Sequence, residues 1–232
     1  MKTLFWDLDH TLWDFKKNSR EALAEGYAKF DLASLGVGDV EQYIESYEKA
    51  NDWCWREYIE GRMEKEELRG KRFKMAMDPW GLSDNQELGD VLGQHYILTS
   101  PFKTHLFDGA IEVLTELKNR GHRMVVLTNG FEEVQHIKVE KSGLAIFFEQ
   151  IITSDSMGYK KPHPKAFDIA LERVGVEAKD VVMIGDNIEA DILGAKGVGI
   201  GQIFFNPYAT QHQEEVDYEV KTLHEILGIS LH

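Results

Sequence analysis

The sequence predicts an α/β fold, a Rossmann-like parallel sheet with helices on both faces, interrupted once by an all-helical insertion. Three observations predict it. Apolar runs at residues 3–7, 123–129, 150–155, 181–186 and 201–206 have strand length and little period-two alternation, as strands buried on both faces do. From residue 109 onward, helical patterns at 109–121, 132–143, 164–175 and 188–199 alternate with those runs, and each closes near a glycine. Residues 16 to about 100 contain no β-type run. The expected division is therefore an α/β domain at 1–15 and 103–232, with a helical domain at 16–102.

Each element has its own signal. "TLFWD" (3–7) opens the sheet and ends on a carboxylate. Candidate helix starts in the insertion are Asn18, Asp39, Glu64 and Ser83. "SDNQ" (83–86) sets Ser and Gln three apart ahead of a periodic segment and reads as a capping box. Tyr43, Tyr47, Trp53, Trp55 and Tyr58 recur at helical spacing, first as helix-packing residues and second as a stacking surface for a flat ligand. "RMVVLTN" (123–129) and "VVMIGD" (181–186) are strands that end on polar residues. "GVGIG" (197–201) follows a helix instead of opening one, so it is not a dinucleotide fingerprint.

Composition bounds the function. A chain of 232 residues, 43% hydrophobic and 28% charged, builds a packed soluble core. Its net charge of −14 argues against a nucleic-acid or anionic-membrane partner. Cys54 is the lone cysteine, so no internal disulfide exists, and it reads as a packed residue. No run approaches the ~20 apolar residues of a membrane span. The N-terminal apolar run is broken at Asp7, which argues against a signal peptide and makes a cytoplasmic setting the expectation. An anionic small substrate would need local positive charge at its site, and the expected state is a monomer or small homo-oligomer.

The chemistry gathers at strand ends. Asp7 and Asp9 stand at positions i and i+2, which face the same way if the strand persists. Ligands of open α/β sheets bind outside the carboxyl ends of the strands. Asp7, Thr128, Asn129 and Asp186 all fall at such ends. Crowded carboxylates repel unless a cation bridges them, and a hard divalent ion, Mg²⁺ above all, resolves this. A carboxylate can attack phosphorus to form an aspartyl-phosphate. A second acid can protonate the leaving oxygen. Thr128 and Asn129 can hold phosphoryl oxygens, and Lys160 or Lys161 can balance the added charge.

"DLDHT" (7–11), "LTNG" (127–130), "KKP" (160–162) and "GDNIEAD" (185–191) resemble, in order, the four motifs of the haloacid dehalogenase superfamily. The resemblance implies Asp7 as nucleophile and Asp9 as general acid/base. It implies Mg²⁺ held by Asp7, Asp186 and the main-chain carbonyl of Asp9, with Asp191 behind them. It implies Thr128, with Asn129 adjacent, and Lys161 as phosphate-binding residues, a small phosphorylated metabolite as partner, and the insertion as a mobile helical cap. His10 fills a position that is commonly Gly, Glu or Asn and receives no role. "TNGFEEVQ" and "GDNIEADILGA" further resemble phosphatases of pyrimidine and non-standard nucleoside 5′-monophosphates. A phosphatase of phosphoglycolate or a sugar phosphate, a phosphosugar mutase and a non-catalytic binding module are the alternatives. Asp9 counts against dehalogenation, which has no leaving alkoxide to protonate.

Overall fold

The structure is a computed structural model and describes residues 2–231. In chain order its elements are β1 (Thr3–Trp6), four long helices α1 (Phe15–Lys29), α2 (Val40–Ile59), α3 (Lys65–Ala76) and α4 (Gln86–Thr99), then α5 (Ala110–Asn119), β2 (Arg123–Thr128), α6 (Glu132–Lys141), β3 (Gln150–Thr153), the single turn α7 (Ser154–Met157), α8 (Pro164–Val174), β4 (Val181–Gly185), the short α9 (Gly194–Gly197), β5 (Gly201–Phe205) and β6 (Tyr218–Val220). The chain divides into two compact units, Met1–Phe15 with Thr104–His232, and Lys16–Lys103.

The first unit is a six-stranded parallel sheet in the order β3-β2-β1-β4-β5-β6. Its strands are apolar throughout because alternate residues serve two separate cores. Leu4, Trp6, Met124, Val126, Val182 and Ile184 pack on one face with Val113, Leu114 and Leu117 of α5. Phe5, Val125, Leu127, Val181 and Met183 pack on the other with Phe167 and Ala170 of α8. Both faces are covered, as parallel sheets require. From β1 the chain winds one way to β3, then returns to β4 on the other side of β1 and winds on to β6. This reversal beside β1 is the switch point at which such sheets bind ligands.

Several expectations are corrected in detail. The strands begin where expected, but each stops one or two residues short of its expected end. β6 was not anticipated: it has three residues, and Tyr218 and Glu219 are exposed, so it makes no apolar run. The expected helix at 188–199 is a π-helical segment (Ile188–Leu193) followed by α9. α1 starts at Phe15, three residues ahead of Asn18.

In the helical unit, Asp39 caps α2 in a capping box with Gln42, and Glu64 is the N-cap of α3, as expected. The cap of α4 is Asn85, whose side chain accepts from Leu88 N at 3.0 Å, and not Ser83. Gln86 does not complete a box with Ser83: its Oε1, the atom that would accept there, takes a hydrogen bond from Lys74 Nζ. Tyr43 and Tyr47 are buried with Phe73 and Tyr96 and so are packing residues, while Trp53 is 37% exposed. The Arg72 guanidinium lies over Tyr47, Phe73 and Tyr96 at 5.0–5.7 Å from the ring centroids. Cys54 is fully buried, with Sγ 3.9 Å from Met75 Sδ.

The α4 cap is testable. Asn85→Ala should lower stability by about 1 kcal/mol, read as a shift in the urea midpoint, while Ser83→Ala should stay within about 0.5 kcal/mol of wild type. The reverse ranking would place the helix start at Ser83.

Candidate active site

Strand register brings the site together. Trp6 lies level with Val126 on one side and Ile184 on the other. Asp7 therefore leaves β1 beside the ends of both neighbours, and its N–H donates to the Ile184 carbonyl at 2.9 Å. The strand ends at Trp6, so the argument that Asp7 and Asp9 converge as strand neighbours does not hold. The chain turns instead: the Leu8 carbonyl accepts from Leu12 N and Trp13 N at 3.0 and 2.9 Å, and His10 takes a left-handed φ of 65°. Left-handed backbone suits glycine and asparagine better than histidine.

Asp7, Asp186 and Asp191 each place a carboxylate oxygen within 4.8 Å of the others. Lys161, 1% exposed, donates to Asp7 Oδ1 at 2.8 Å, to Asp191 Oδ1 at 2.6 Å and to the Leu127 carbonyl at 2.6 Å. An ammonium has three hydrogens, and here each has a protein acceptor. Lys161 thus offers an incoming anion its charge and no spare donor. Thr11 donates to Asp186 Oδ1 at 3.1 Å, and Asp191 Oδ2 accepts from Asn187 N at 3.1 Å. Gly185 is required here, because a Cβ would lie 2.2 Å from Asp191 Oδ2.

Asn129 acts first on Lys161. Its Oδ1 accepts from Lys161 N and its Nδ2 donates to the Lys161 carbonyl, both at 2.8 Å. Thr128 Oγ1 accepts from Gly130 N at 3.1 Å and from Gln135 Nε2 at 2.8 Å. With both lone pairs taken, the Thr128 hydroxyl hydrogen is the part left to offer. Asp9 stands apart from the carboxylate cluster, its oxygens accepting from Lys138 Nζ and Gln135 Nε2.

With all three carboxylates ionised, the one ammonium would leave two negative charges in a buried place. Burial pushes Asp7 up to about 7; Lys161 opposes the shift, and the Asp191 and Asp9 charges add to it. Burial also raises Asp186 well above the ordinary carboxylate range, with Asp7 and Asp191 adding to the effect. Burial alone would lower Lys161, but Asp191 and Asp7 outweigh it and hold it at about 12. All-oxygen donors, surplus negative charge and close spacing fit a hard divalent cation.

Residue reading alone missed Gln135, Lys138 and Thr11. Gln135 and Lys138 lie three apart on α6 beside Val139, and all three are buried. Polar residues at core-facing positions of a helical pattern were the available signal.

A family model for haloacid dehalogenase-like hydrolases matches residues 1–199. Pyrimidine 5′-nucleotidase PynA of Streptococcus pneumoniae is 29% identical over 97% of this chain and 93% of its own. A glyceraldehyde 3-phosphate phosphatase of Pyrococcus abyssi is 30% identical over 88% of this chain and 81% of its own. Among solved structures, the HAD-hydrolase YfnB of Bacillus subtilis, bound to magnesium, has a TM-score of 0.86 at 27% identity, covering 98% of this chain and 97% of that one.

The buried charge has a pH signature. Folded Asp7 keeps its proton up to about pH 7, whereas the unfolded chain loses it near 3.8. Between these values the unfolded state binds fewer protons, so stability falls as pH rises. Thermal unfolding in chelator should show this fall from about pH 4 to about 7, and Asp7→Asn should reduce it. At pH 8, Mg²⁺ at a hundredfold excess over its Kd should add about 2.7 kcal/mol to the wild-type protein and less to Asp7→Asn. A wild-type protein with a flat profile and no response to Mg²⁺ would contradict the charge assignment.

Proposed function

The chain belongs to the haloacid dehalogenase-like hydrolases and is a phosphatase of that family; on that footing we propose that it is a Mg²⁺-dependent hydrolase of nucleoside 5′-monophosphates, acting through an aspartyl-phosphate. The observation that carries the chemistry is the buried arrangement of Asp7, Asp186 and Asp191 around Lys161. The likeness to PynA, which spans the helical insertion as well as the sheet, supports the nucleotide. The magnesium in the YfnB structure supports the metal.

Asp7 attacks phosphorus, and the P–O bond to the leaving alcohol breaks. Asp9 gives its proton to the departing oxygen. Water then attacks the phosphorus on Asp7 while Asp9 takes the proton back, which frees phosphate and restores the carboxylate. The Thr128 hydroxyl donates to a phosphoryl oxygen, and the Lys161 charge balances the anion. Asp7, Asp186 and the Asp9 carbonyl would hold Mg²⁺, which would supply positive charge to offset that of the nucleophile and the phosphoryl group. Asp191 holds Lys161 and the Asn187 backbone in place.

Two measurements test this reading. Asp7→Asn should abolish turnover, and Asp9→Asn should lower kcat by about 10²–10⁴-fold. Near-wild-type turnover by Asp7→Asn would end the covalent route. In a panel of phosphate esters, pyrimidine nucleoside 5′-monophosphates should have the highest kcat/KM. Glyceraldehyde 3-phosphate or phosphoglycolate as best substrate by tenfold would leave a phosphatase with a different substrate. A bisphosphate requirement would mark a mutase.

A further inference from the structure

Lys138 and Gln135 have no part in the chemistry above, yet both are buried, at 4% and 0% exposed. Lys138 Nζ donates to Asp9 Oδ1 at 2.6 Å. It lies 4.2 Å from the Trp13 ring centroid and 5.6 Å from that of Phe15. Gln135 Nε2 donates to Asp9 Oδ2 at 2.9 Å and to Thr128 Oγ1 at 2.8 Å. Gln135 Oε1 is buried without a hydrogen-bond partner. An unsatisfied buried oxygen costs stability, so the orientation of this amide is set by what its nitrogen end holds.

We propose that Lys138 and Gln135 are positioning residues that hold the Asp9 carboxylate in one orientation and fix it in register with the Thr128 hydroxyl. The proposal rests on Asp9 as the acid/base and Thr128 as the phosphoryl donor. Asp9 follows the end of β1, in a turn where nothing regular constrains its side chain. One donor on each oxygen sets both of its torsions. The aromatic faces of Trp13 and Phe15 hold the ammonium beside Asp9. Proton transfer to a leaving oxygen requires approach to about 2.6–3.2 Å, so a wandering carboxylate is slow. The single Gln135 nitrogen uses both its hydrogens, one on the proton-transfer group and one on the phosphoryl-binding group. Gly130 makes room for it, since a Cβ there would lie 2.0 Å from Gln135 Nε2.

The test compares leaving groups in single-turnover reactions of the full-length protein with saturating Mg²⁺. A nucleoside 5′-monophosphate releases its nucleoside as a poor alkoxide leaving group, and p-nitrophenyl phosphate releases a stable phenolate. Lys138→Met keeps the packing against the two rings and removes the charge. It should slow nucleoside release about 10²-fold and nitrophenolate release by less than about tenfold. Lys138→Arg should recover most of the loss. Gln135→Leu should show the same leaving-group bias and also raise KM for both esters, because Thr128 loses its partner. Unchanged rates in Lys138→Met, or equal losses on both esters that Arg does not rescue, would overturn the proposal. If Lys138→Met does not fold, the bias in Gln135→Leu decides the matter. If the substrate panel favours another alkyl phosphate, that ester replaces the nucleotide, and the comparison between leaving groups is unaffected.

Discussion

The Lys161 ammonium is the interaction on which the site depends. Asp7 and Asp191 could not both stay ionised in a buried place without a cation between them. Lys161 donates to each of them, with its third hydrogen on the Leu127 carbonyl at the end of β2. The charge is thereby tied to the sheet edge as well as to the acids. One ammonium against three carboxylates still leaves the cluster short of positive charge. That deficit, on all-oxygen donors, fits a hard divalent cation.

Much of the surrounding backbone serves to place that charge. Asn129 grips both the N–H and the carbonyl of Lys161, so the turn after β2 fixes the residue that neutralises the end of β1. Asn187 accepts from Glu189 N and Ala190 N, starting the π-helical segment that carries Asp191. Gly185 is bare because the Asp191 carboxylate occupies the space a Cβ would need, and Gly130 is bare because Gln135 does the same. In the two motifs "TNG" and "GDN", glycine therefore acts through the space it leaves, and asparagine through hydrogen bonds to the backbone that carries Lys161 and Asp191.

The legible part of the fold was the part governed by burial. Five strands were visible because a sheet covered on both faces needs unbroken apolar runs. Their ends were overestimated because the runs finish on Asp7, Asn129 and Asp186, polar residues that lie just past the hydrogen-bonded ladder. β6 was invisible because an edge strand of three residues, two of them exposed, carries no such run. The α4 cap is misplaced by two residues because Ser83 and Asn85 are chemically equivalent caps, and only the structure shows that Asn85 accepts from Leu88 N. At the site, Asp7 and Asp186 are legible from residue type and from position at strand ends, whereas Asp191 and the choice of Lys161 over Lys160 come only with the family resemblance. Gln135 and Lys138 were not, because a polar residue on a helix reads as solvated unless its facing direction is known.

Asp7 and Asp9 are two residues apart but sit in different surroundings, and the end of the strand is the reason. Had β1 continued through Asp9, both carboxylates would share one face and compete for the same cation. Because the strand stops at Trp6 and the backbone turns through a left-handed His10, Asp9 is turned to α6, where its Oδ1 accepts from Lys138 and its Oδ2 from Gln135. Asp7 is left with Lys161 and the other acids. In the proposed mechanism the attacking carboxylate needs a cation beside it, and the proton-transfer group needs its own donors to orient it. A turn of a few residues separates the two requirements without lengthening the sequence between them.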